Sequence, residues 1–493
     1  MEKYLKDEVT MKHFVILCTI CALCFFLAGC GVIIGTAVDS VTEFATYPMK
    51  EFVFHGAYKY DNTWTAPYAP IQYERDYGEL LLGLAVSGGG SRSAYFLACV
   101  LEELSHIPLR PGSKKTYLDE LDYISSVSGG SLASAYYCLM KYHPKHRHNT
   151  DNFFMHFKEN MSKNFQARVM LYYVIYGRWF LDLFTYYDRG DILAGVWDDM
   201  FFHDMTFQDL HLAERNGAPT LLINGTNMND GLKFVFSTLA DRHFNGCSYF
   251  EQIGDSGFNH HYDVPTEYRA LHSVGFEGLN SDIRPYRISK AVIASASVPN
   301  LLGPVTLRDC SVTTKYVRRL INIVDGGVYD NYGIETLMQV MGNILEKKPN
   351  SPAKILVVDG AGYFLEDDKT NDSYTVADYS SRPLEIAWMR NRAYVEYIFQ
   401  KANQYINEKG EQPYSNLSFD LLSLYQRLPS QDEFQEKKSC DAIEKVMRLD
   451  QTATDYLKKL VNIKTLFKLS DEDAKMIEKS AKNVVQSLKK GKE

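Results

Sequence analysis

The sequence has no excess of positive charge. Its 493 residues carry 61 acidic and 53 basic side chains, which gives a formal net charge of −8 at pH 7. Proteins that bind nucleic acids use a basic surface to neutralise phosphates, so we expect no nucleic acid as the main partner. The length allows one large domain with additions, or two to three domains.

A disulfide framework is also missing, although the chain contains nine cysteines. Four of them lie in the first thirty residues, and the other five are isolated from one another. A core of this size needs no disulfides, and isolated cysteines do not indicate them. Two of the isolated cysteines, Cys99 and Cys138, fall in apolar helical patterns and are predicted to be buried thiols.

One hydrophobic run stands out, near the N-terminus. Residues Phe14 to Ala28 are almost all apolar, Lys12 precedes them, and the run ends in Leu27-Ala28-Gly29-Cys30. This pattern is typical of a secretory signal peptide, and a cysteine after Leu-Ala-Gly resembles a bacterial lipobox. The resemblance implies cleavage before Cys30, a diacylglycerol on its thiol and a membrane-associated lipoprotein of the bacterial cell envelope.

The alternative at this end of the chain is an uncleaved transmembrane anchor. The apolar run could continue through Val32-Ile33-Ile34, which would give roughly the 20 residues that a spanning helix needs. The true start could be Met1 or Met11, because residues 1–10 add nothing to the signal.

Short apolar runs alternate with helical patterns from about residue 76 to residue 365, which predicts an α/β domain with a mainly parallel sheet. Residues 1–30 are predicted to be the signal peptide, 31–75 a tether and lead-in, and 366–493 a helical C-terminal extension. The aromatic segment Val169 to Tyr187 is either a buried helix or an acyl-binding cover. The predicted strands are Glu79 to Val86, Leu121 to Val127, Pro219 to Gly225, Leu232 to Ser237, Arg319 to Val324 and Lys354 to Asp359.

A candidate nucleophile follows the second of these strands, in Ser126-Val127-Ser128-Gly129-Gly130. A serine on a sharp strand-to-helix turn exposes its hydroxyl, and the helix N-terminus that follows can face a developing oxyanion. Taken alone, the segment could also be a glycine-rich turn with an incidental serine.

A glycine-rich loop follows the first strand, in Gly88-Gly89-Gly90-Ser91-Arg92. Glycines let backbone N–H groups turn toward a negative atom, which suits an oxyanion hole. A dinucleotide loop would need glycine where Ser93 stands, and a phosphate-binding P-loop would need a lysine that is absent.

A candidate base, Asp325, follows another strand in Asp325-Gly326-Gly327. No histidine occurs after Asp325, which argues against the Ser, Asp, His order of ordinary α/β-hydrolases. Taken alone, Asp-Gly-Gly could also be a plain turn. As a base, the carboxylate would have to be ionised at working pH, which polar neighbours should permit.

The glycine loop, the serine elbow and the distal Asp-Gly-Gly together resemble the patatin-like phospholipase family. Two further stretches, Pro219 to Thr226 and Ala294 to Pro299, look similar to family segments. The resemblance implies a three-layer α/β fold, a Ser128–Asp325 dyad without histidine, and an acyl-enzyme. It also implies an oxyanion hole from Gly88, Gly89 and Gly90, with Arg92 orienting the loop or a lipid phosphate, and no metal or cofactor.

The sequence therefore predicts a serine hydrolase that releases fatty acid from phospholipids or other fatty-acyl esters. A catalytically silent envelope lipoprotein that binds lipid in the same cleft is the alternative. Head group, acyl chain, positional preference, the membrane and leaflet, and oligomeric state are not determined by the sequence. Ser126 and Ser93 stand where the family usually or often has glycine, which affects substrate geometry.

Overall fold

The computed structural model describes residues 78–145, 152–164, 189–244, 273–299, 302–310, 319–361, most of 386–397, 417–425, residues 459, 460 and 463, and 469–490. The predicted signal segment with Cys30, the lead-in and the aromatic segment Val169 to Tyr187 lie outside these residues. Within the described ranges, no helix is both long enough and apolar enough to cross a bilayer.

The strands of the described residues form one mixed, mostly parallel sheet. Seven of them lie side by side in the order β5-β4-β3-β2-β1-β8-β9, and β7 pairs with both β3 and β6. The strands are β1 Leu81–Val86, β2 Leu121–Val127, β3 Thr220–Asn227, β4 Leu232–Ser237, β5 Ser273–Val274, β6 Val305–Asp309, β7 Arg319–Asp325, β8 Ala353–Asp359 and β9 Leu417–Ser423.

The helices connect these strands and cover the sheet. A π-helical turn, Asp198–Phe202, and a 3₁₀ turn, Asp241–His243, also occur. The α-helices are α1 Gly90–Leu104, α2 Gly129–Tyr142, α3 Phe153–Ser162, α4 Arg189–Trp197, α5 Phe207–Arg215, α6 Ile288–Ala296, α7 Gly327–Asp330, α8 Ile334–Lys347 and α9 Asp471–Lys490.

Two hydrophobic cores lie on opposite faces of the sheet. In β1 every residue is buried, and successive side chains of a strand point to opposite faces. Leu82 and Leu84 accordingly join a core with α1, α2, α3, α6 and α9, whereas Leu81 and Ala85 join a second core with α8. This arrangement is the predicted three-layer α/β fold. Cys99 and Cys138 are buried, as predicted.

The C-terminal part of the chain departs from the expectation of helices alone. Residues Leu417–Ser423 form β9, which pairs in parallel with β8 along seven residues and extends the central sheet. The sequence does not mark this strand, because charged helical patterns flank it on both sides. The predicted helix Ser470 to Lys489 is confirmed as α9, which packs against α1.

Candidate active site

The sheet brings the ends of β2 and β7 together. Val127 at the end of β2 lies opposite Asn224 of β3, and Asp325 at the end of β7 lies opposite Gly225, the next residue of β3. β4 occupies the other edge of β3 over the same residues, so β2 and β7 share one edge and run toward each other. Ser128, which follows Val127, therefore meets Asp325 although 197 positions separate them in the numbering.

Ser128 sits on a strained elbow between β2 and α2. Its backbone has φ 53° and ψ −124°, a combination that costs a non-glycine residue of order 1–3 kcal/mol. Its N–H donates to the Ser295 hydroxyl at 2.9 Å, and its side chain is almost buried. The next residue must be glycine, because a Cβ on Gly129 would collide with the carbonyl oxygen of Gly90.

Asp325 is held by one hydrogen bond to its carboxylate and by two hydrogen bonds to its main chain. Its Oδ1 accepts the N–H of Gly327 at 2.7 Å, and its own N–H donates to the Ser297 carbonyl at 2.9 Å. Thr226 Oγ1 donates to the Asp325 carbonyl at 2.8 Å. The residue is only 2% exposed, so the carboxylate has lost most of its contact with water.

Burial raises the pKa of Asp325 to about 7, from an ordinary value of 3.8. Hydrogen bonding from the Gly327 N–H, and to a smaller extent from the Ser128 hydroxyl, lowers the pKa against this effect. The expectation that polar neighbours keep the acid ionised therefore holds only in part, since a group with a pKa near 7 is about half ionised at neutral pH.

The contact between the two side chains is loose. Asp325 Oδ2 has no partner with hydrogen-bond geometry in the described part of the chain, yet the Ser128 hydroxyl is close enough to lower the Asp325 pKa. The hydroxyl thus approaches the carboxylate outside ordinary hydrogen-bond distance or angle. Such loose contacts are common between catalytic groups before substrate binds.

The glycine-rich loop lies beside the elbow, and its three N–H groups differ. The Gly88 N–H already donates to the Asn331 carbonyl at 3.0 Å. Gly89 and Gly90 adopt φ 140° and φ 61°, and their N–H groups have no acceptor among the described residues. The Gly129 N–H at the start of α2 is likewise without an acceptor there. Donors for an oxyanion are therefore available at Gly89, Gly90 and Gly129, but at Gly88 only if its present bond breaks.

Arg92 is buried, with 2% of its surface exposed, and points away from solvent. Its Nε donates to the Gly360 carbonyl at 2.9 Å, and a second guanidinium nitrogen contacts the Ile463 carbonyl. Gly360 in turn packs on the glycine loop, since its carbonyl oxygen would lie 2.8 Å from a Cβ on Gly89. This placement fits the role of orienting the loop, and it gives a lipid phosphate no access to the guanidinium.

Sequence reasoning assigned no role to Asn331, which lies between the glycine loop and the Asp-Gly-Gly turn. Its Oδ1 would be 2.5 Å from a Cβ on Gly88 and 2.7 Å from one on Gly327. The side-chain amide has no hydrogen-bond partner within the described residues and is only partly buried. An amide in this position faces the space beside Asp325, and no local pattern in the sequence marked it.

The arrangement combines an alcohol, a carboxylate with a pKa near neutrality and several main-chain donors at the carboxyl ends of the strands. An alcohol beside a base is the minimum for nucleophilic catalysis, and N–H donors stabilise the oxyanion of acyl transfer. In the described ranges, no group of three or more His, Cys, Asp or Glu side chains is placed to hold a metal ion.

Comparison with known proteins agrees with this chemistry. The family model described as "Patatin-like phospholipase" matches residues 84–338, which is more than half of the chain. The chain belongs to the patatin-like phospholipase family, and this membership supports a lipid acyl hydrolase. No curated protein sequence matches the chain significantly.

Solved structures with a similar fold include two of human GIVD cytosolic phospholipase A2. One is a complex with methyl gamma-linolenyl fluorophosphonate, with 12% sequence identity and a TM-score of 0.40, covering 85% of this chain and 60% of that one. The other has 14% identity and the same TM-score, with 85% and 61% coverage. The chain thus spans less than two thirds of the length of these proteins, and a TM-score of 0.40 adds nothing to the family assignment.

Proposed function

We propose that the protein is a serine acyl hydrolase that releases fatty acid from phospholipids or similar acyl-ester lipids. The observation that supports this most is the meeting of Ser128 and Asp325 at adjacent strand ends, next to unpaired main-chain donors of the described chain. Family membership supports the same class of substrate.

The proposed reaction uses Asp325 alternately as base and acid. Ser128 Oγ attacks the carbonyl carbon of the ester while its proton moves to Asp325. The tetrahedral intermediate then collapses, the alcohol leaves with the proton from Asp325, and an acyl-enzyme remains on Ser128. Water attacks this ester, again giving its proton to Asp325, and the fatty acid departs as Ser128 Oγ regains the proton. A pKa near 7 suits a group that must both accept and donate.

The negative charge on the tetrahedral oxygen needs donors that are already oriented. The N–H groups of Gly89, Gly90 and Gly129 are free of acceptors among the described residues, and the Gly90 carbonyl packs against Gly129, the residue after Ser128. We therefore assign the oxyanion hole to these donors, with Gly88 and Arg92 holding the loop in place through the Asn331 and Gly360 carbonyls. Removing one such donor typically lowers kcat by about 10²–10³-fold.

The test is hydrolysis of a chromogenic acyl ester and of phosphatidylcholine vesicles by the full chain. Wild type should release fatty acid, and Ser128→Ala should not. Ser134→Ala is the matched control, because Ser134 lies buried on the helix that follows Ser128 and its hydroxyl has no partner in the described chain. An alkyl fluorophosphonate should form a phosphonyl ester on Ser128 with loss of fluoride, detectable by mass spectrometry.

The outcomes separate the two functions considered. Turnover and labelling that disappear in Ser128→Ala and persist in Ser134→Ala support the hydrolase. Absence of both in wild type, with vesicle binding retained, would instead support the silent lipid-binding lipoprotein.

We also propose that a lipid on Cys30 holds the protein at a bacterial membrane, a proposal that rests on the sequence pattern alone. Two or more acyl chains would anchor it stably, since each buried methylene contributes about 0.8 kcal/mol. Labelled palmitate should enter wild type and not Cys30→Ala when the full chain is expressed in a bacterium. A protein that takes up no label but stays with the membrane fraction would favour the transmembrane alternative.

A further inference from the structure

A single turn of the chain contacts the main chain of both reactive residues. This turn, at the end of α6, comprises Ser295 to Ser297. Ser295 Oγ accepts the N–H of Ser128 at 2.9 Å, and the Ser297 carbonyl accepts the N–H of Asp325 at 2.9 Å. The Ser295 carbonyl also accepts the N–H of Gly326 at 3.2 Å. The main chains of Ser128 and Asp325 are therefore both held by hydrogen bonds to the same turn.

The direction of each bond at the Ser295 hydroxyl follows from counting its one hydrogen. The Asn224 carbonyl, 2.6 Å away, can only accept, so the hydroxyl donates there. Toward the Ser128 N–H it must accept. Toward the Ser131 hydroxyl at 3.0 Å it must also accept, with Ser131 as donor. The group is fully buried, and all three of its hydrogen-bonding positions are used, so its orientation is determined.

The position of this hydroxyl matters because the elbow backbone is strained. Ser128 has a positive φ, and such a conformation persists only where surrounding contacts over-determine it. Ser295 supplies the acceptor for the Ser128 N–H, and through the Asn224 carbonyl it is tied to the residue of β3 that pairs with the end of β2. The hydroxyl thus links the elbow to β3, the strand with which Asp325 also pairs.

We propose that Ser295 is a positioning residue, whose hydroxyl holds the strained Ser128 elbow in register with Asp325. This inference rests on the proposed hydrolase function and deepens it. Without the hydroxyl, the Ser128 N–H, the Asn224 carbonyl and the Ser131 hydroxyl each lose a partner. The elbow can then relax, which moves Ser128 Oγ relative to both its base and the oxyanion donors. Misplacement of a reacting atom by about 1 Å can lower the rate by about 10²-fold.

The principal variant is Ser295→Ala in the full chain, with kcat and KM for the chromogenic ester, the rate of fluorophosphonate labelling and urea unfolding as measurements. We expect kcat and the labelling rate to fall together by about 10–100-fold, while KM changes by less than about twofold. The matched control is Ser480→Ala, which removes a buried hydroxyl bonded at 2.6 Å to the Leu424 carbonyl and to neither Ser128 nor Asp325. It should lower stability without changing kcat.

A second pair of variants covers the case in which Ser295→Ala does not fold. Ser131→Ala removes only the donor to Ser295 and leaves the Ser128 contact in place, so kcat should fall by about two- to fivefold. Its control on the same helix is Ser134→Ala, which should match wild type.

The results distinguish the inference from the function on which it rests. A wild type with neither turnover nor labelling contradicts the proposed function itself. An active wild type whose Ser295→Ala variant loses stability but keeps kcat overturns the positioning role and leaves the hydrolase intact. If Ser295→Ala cannot be folded, equal kcat values for Ser131→Ala and Ser134→Ala overturn it as well.

Discussion

The site has a serine half, Ser128 directly after β2, and an aspartate half, Asp325 at the end of β7. The two halves have similar local structure, but the first has a strained backbone and the second a desolvated carboxylate. Ser128 directly follows a strand and Asp325 ends one, each is followed by glycine and a helix, and both strand ends pair with β3. Ser128 has an uncharged side chain on a strained backbone with φ 53°. Asp325 is followed by Gly326 in an ordinary helical conformation, but its ionisable group is removed from water.

The free-energy costs of the strained backbone and of the buried carboxylate can be compared. The backbone strain at Ser128 is of order 1–3 kcal/mol. Raising a pKa disfavours the ionised form by about 1.4 kcal/mol per pH unit, so the change at Asp325 from 3.8 to about 7 corresponds to about 4 kcal/mol above neutral pH. The Ser128 hydroxyl is thus positioned by a strained backbone, whereas the Asp325 carboxylate is tuned by desolvation, and the desolvation costs at least as much as the strain.

The largest expected effect is on kcat, when the side chain of either half is replaced. Asp325→Asn keeps the shape of the side chain but cannot accept the serine proton, so we expect kcat to fall by about 10³–10⁴-fold. Slow labelling of Ser128 by fluorophosphonate should remain, because the alcohol is still present, whereas Ser128→Ala should lose it completely. Asp309→Asn, at the buried end of β6, is the control. Retention of a tenth of the wild-type kcat would remove Asp325 from the mechanism.

Asp325→Asn should lower activity but raise the stability of the fold at high pH. The folded pKa of Asp325 is raised, so the wild type loses stability as pH rises from about 4 to about 7 and stays level above that. Asp325→Asn lacks this loss and should be more stable at pH 8 by roughly 1–4 kcal/mol in urea unfolding. Ser128→Ala removes no charge and should follow the pH dependence of wild type. An Asp325→Asn difference that is constant between pH 5 and pH 8 would contradict the desolvated carboxylate.

The pH dependence of kcat/KM should follow the ionisation of Asp325, because the Ser128 hydroxyl does not titrate in this range. Because the base must be ionised in the free enzyme, kcat/KM should rise about tenfold per pH unit below pH 7 and level off above it. The measurement is ester hydrolysis between pH 5 and pH 9 with detection that does not depend on pH. A midpoint near 4 would show that the carboxylate is hydrated in solution.

The smallest expected effect is a shift of the pH profile when Asn331, which lies beside the aspartate half, is replaced. Asn331→Asp would place a second carboxylate beside Asp325, and a like charge raises the pKa of its neighbour. The midpoint of the kcat/KM profile should move up by about one pH unit, with activity recovered at high pH. Asn331→Ala, which adds no charge, should leave the midpoint where it is in wild type. An unshifted Asn331→Asp profile would place its side chain away from the base.

Most of the central elements could be predicted because their signals are local. β2 and the elbow after it are an apolar run followed by small residues, and the same holds for β7 and Asp325-Gly326-Gly327. β9 could not be predicted in this way, because Leu417–Ser423 becomes a strand through pairing with β8. The roles of Ser295 and Asn331 were missed for a related reason, since each depends on contacts with residues far away in the chain.

The sequence by itself determined the reactive groups and the flexibility beside them: a serine, an aspartate and glycines at strand ends, which local composition can encode. Only the tertiary structure decided how these groups behave. Pairing of β2 and β7 along one edge of β3 brings Ser128 and Asp325 together. The Asn331 carbonyl accepts one of the three N–H groups of the glycine loop, and burial raises the Asp325 pKa to about 7. Distance, donor availability and hydration are properties of the packed chain, and no stretch of sequence specifies them alone.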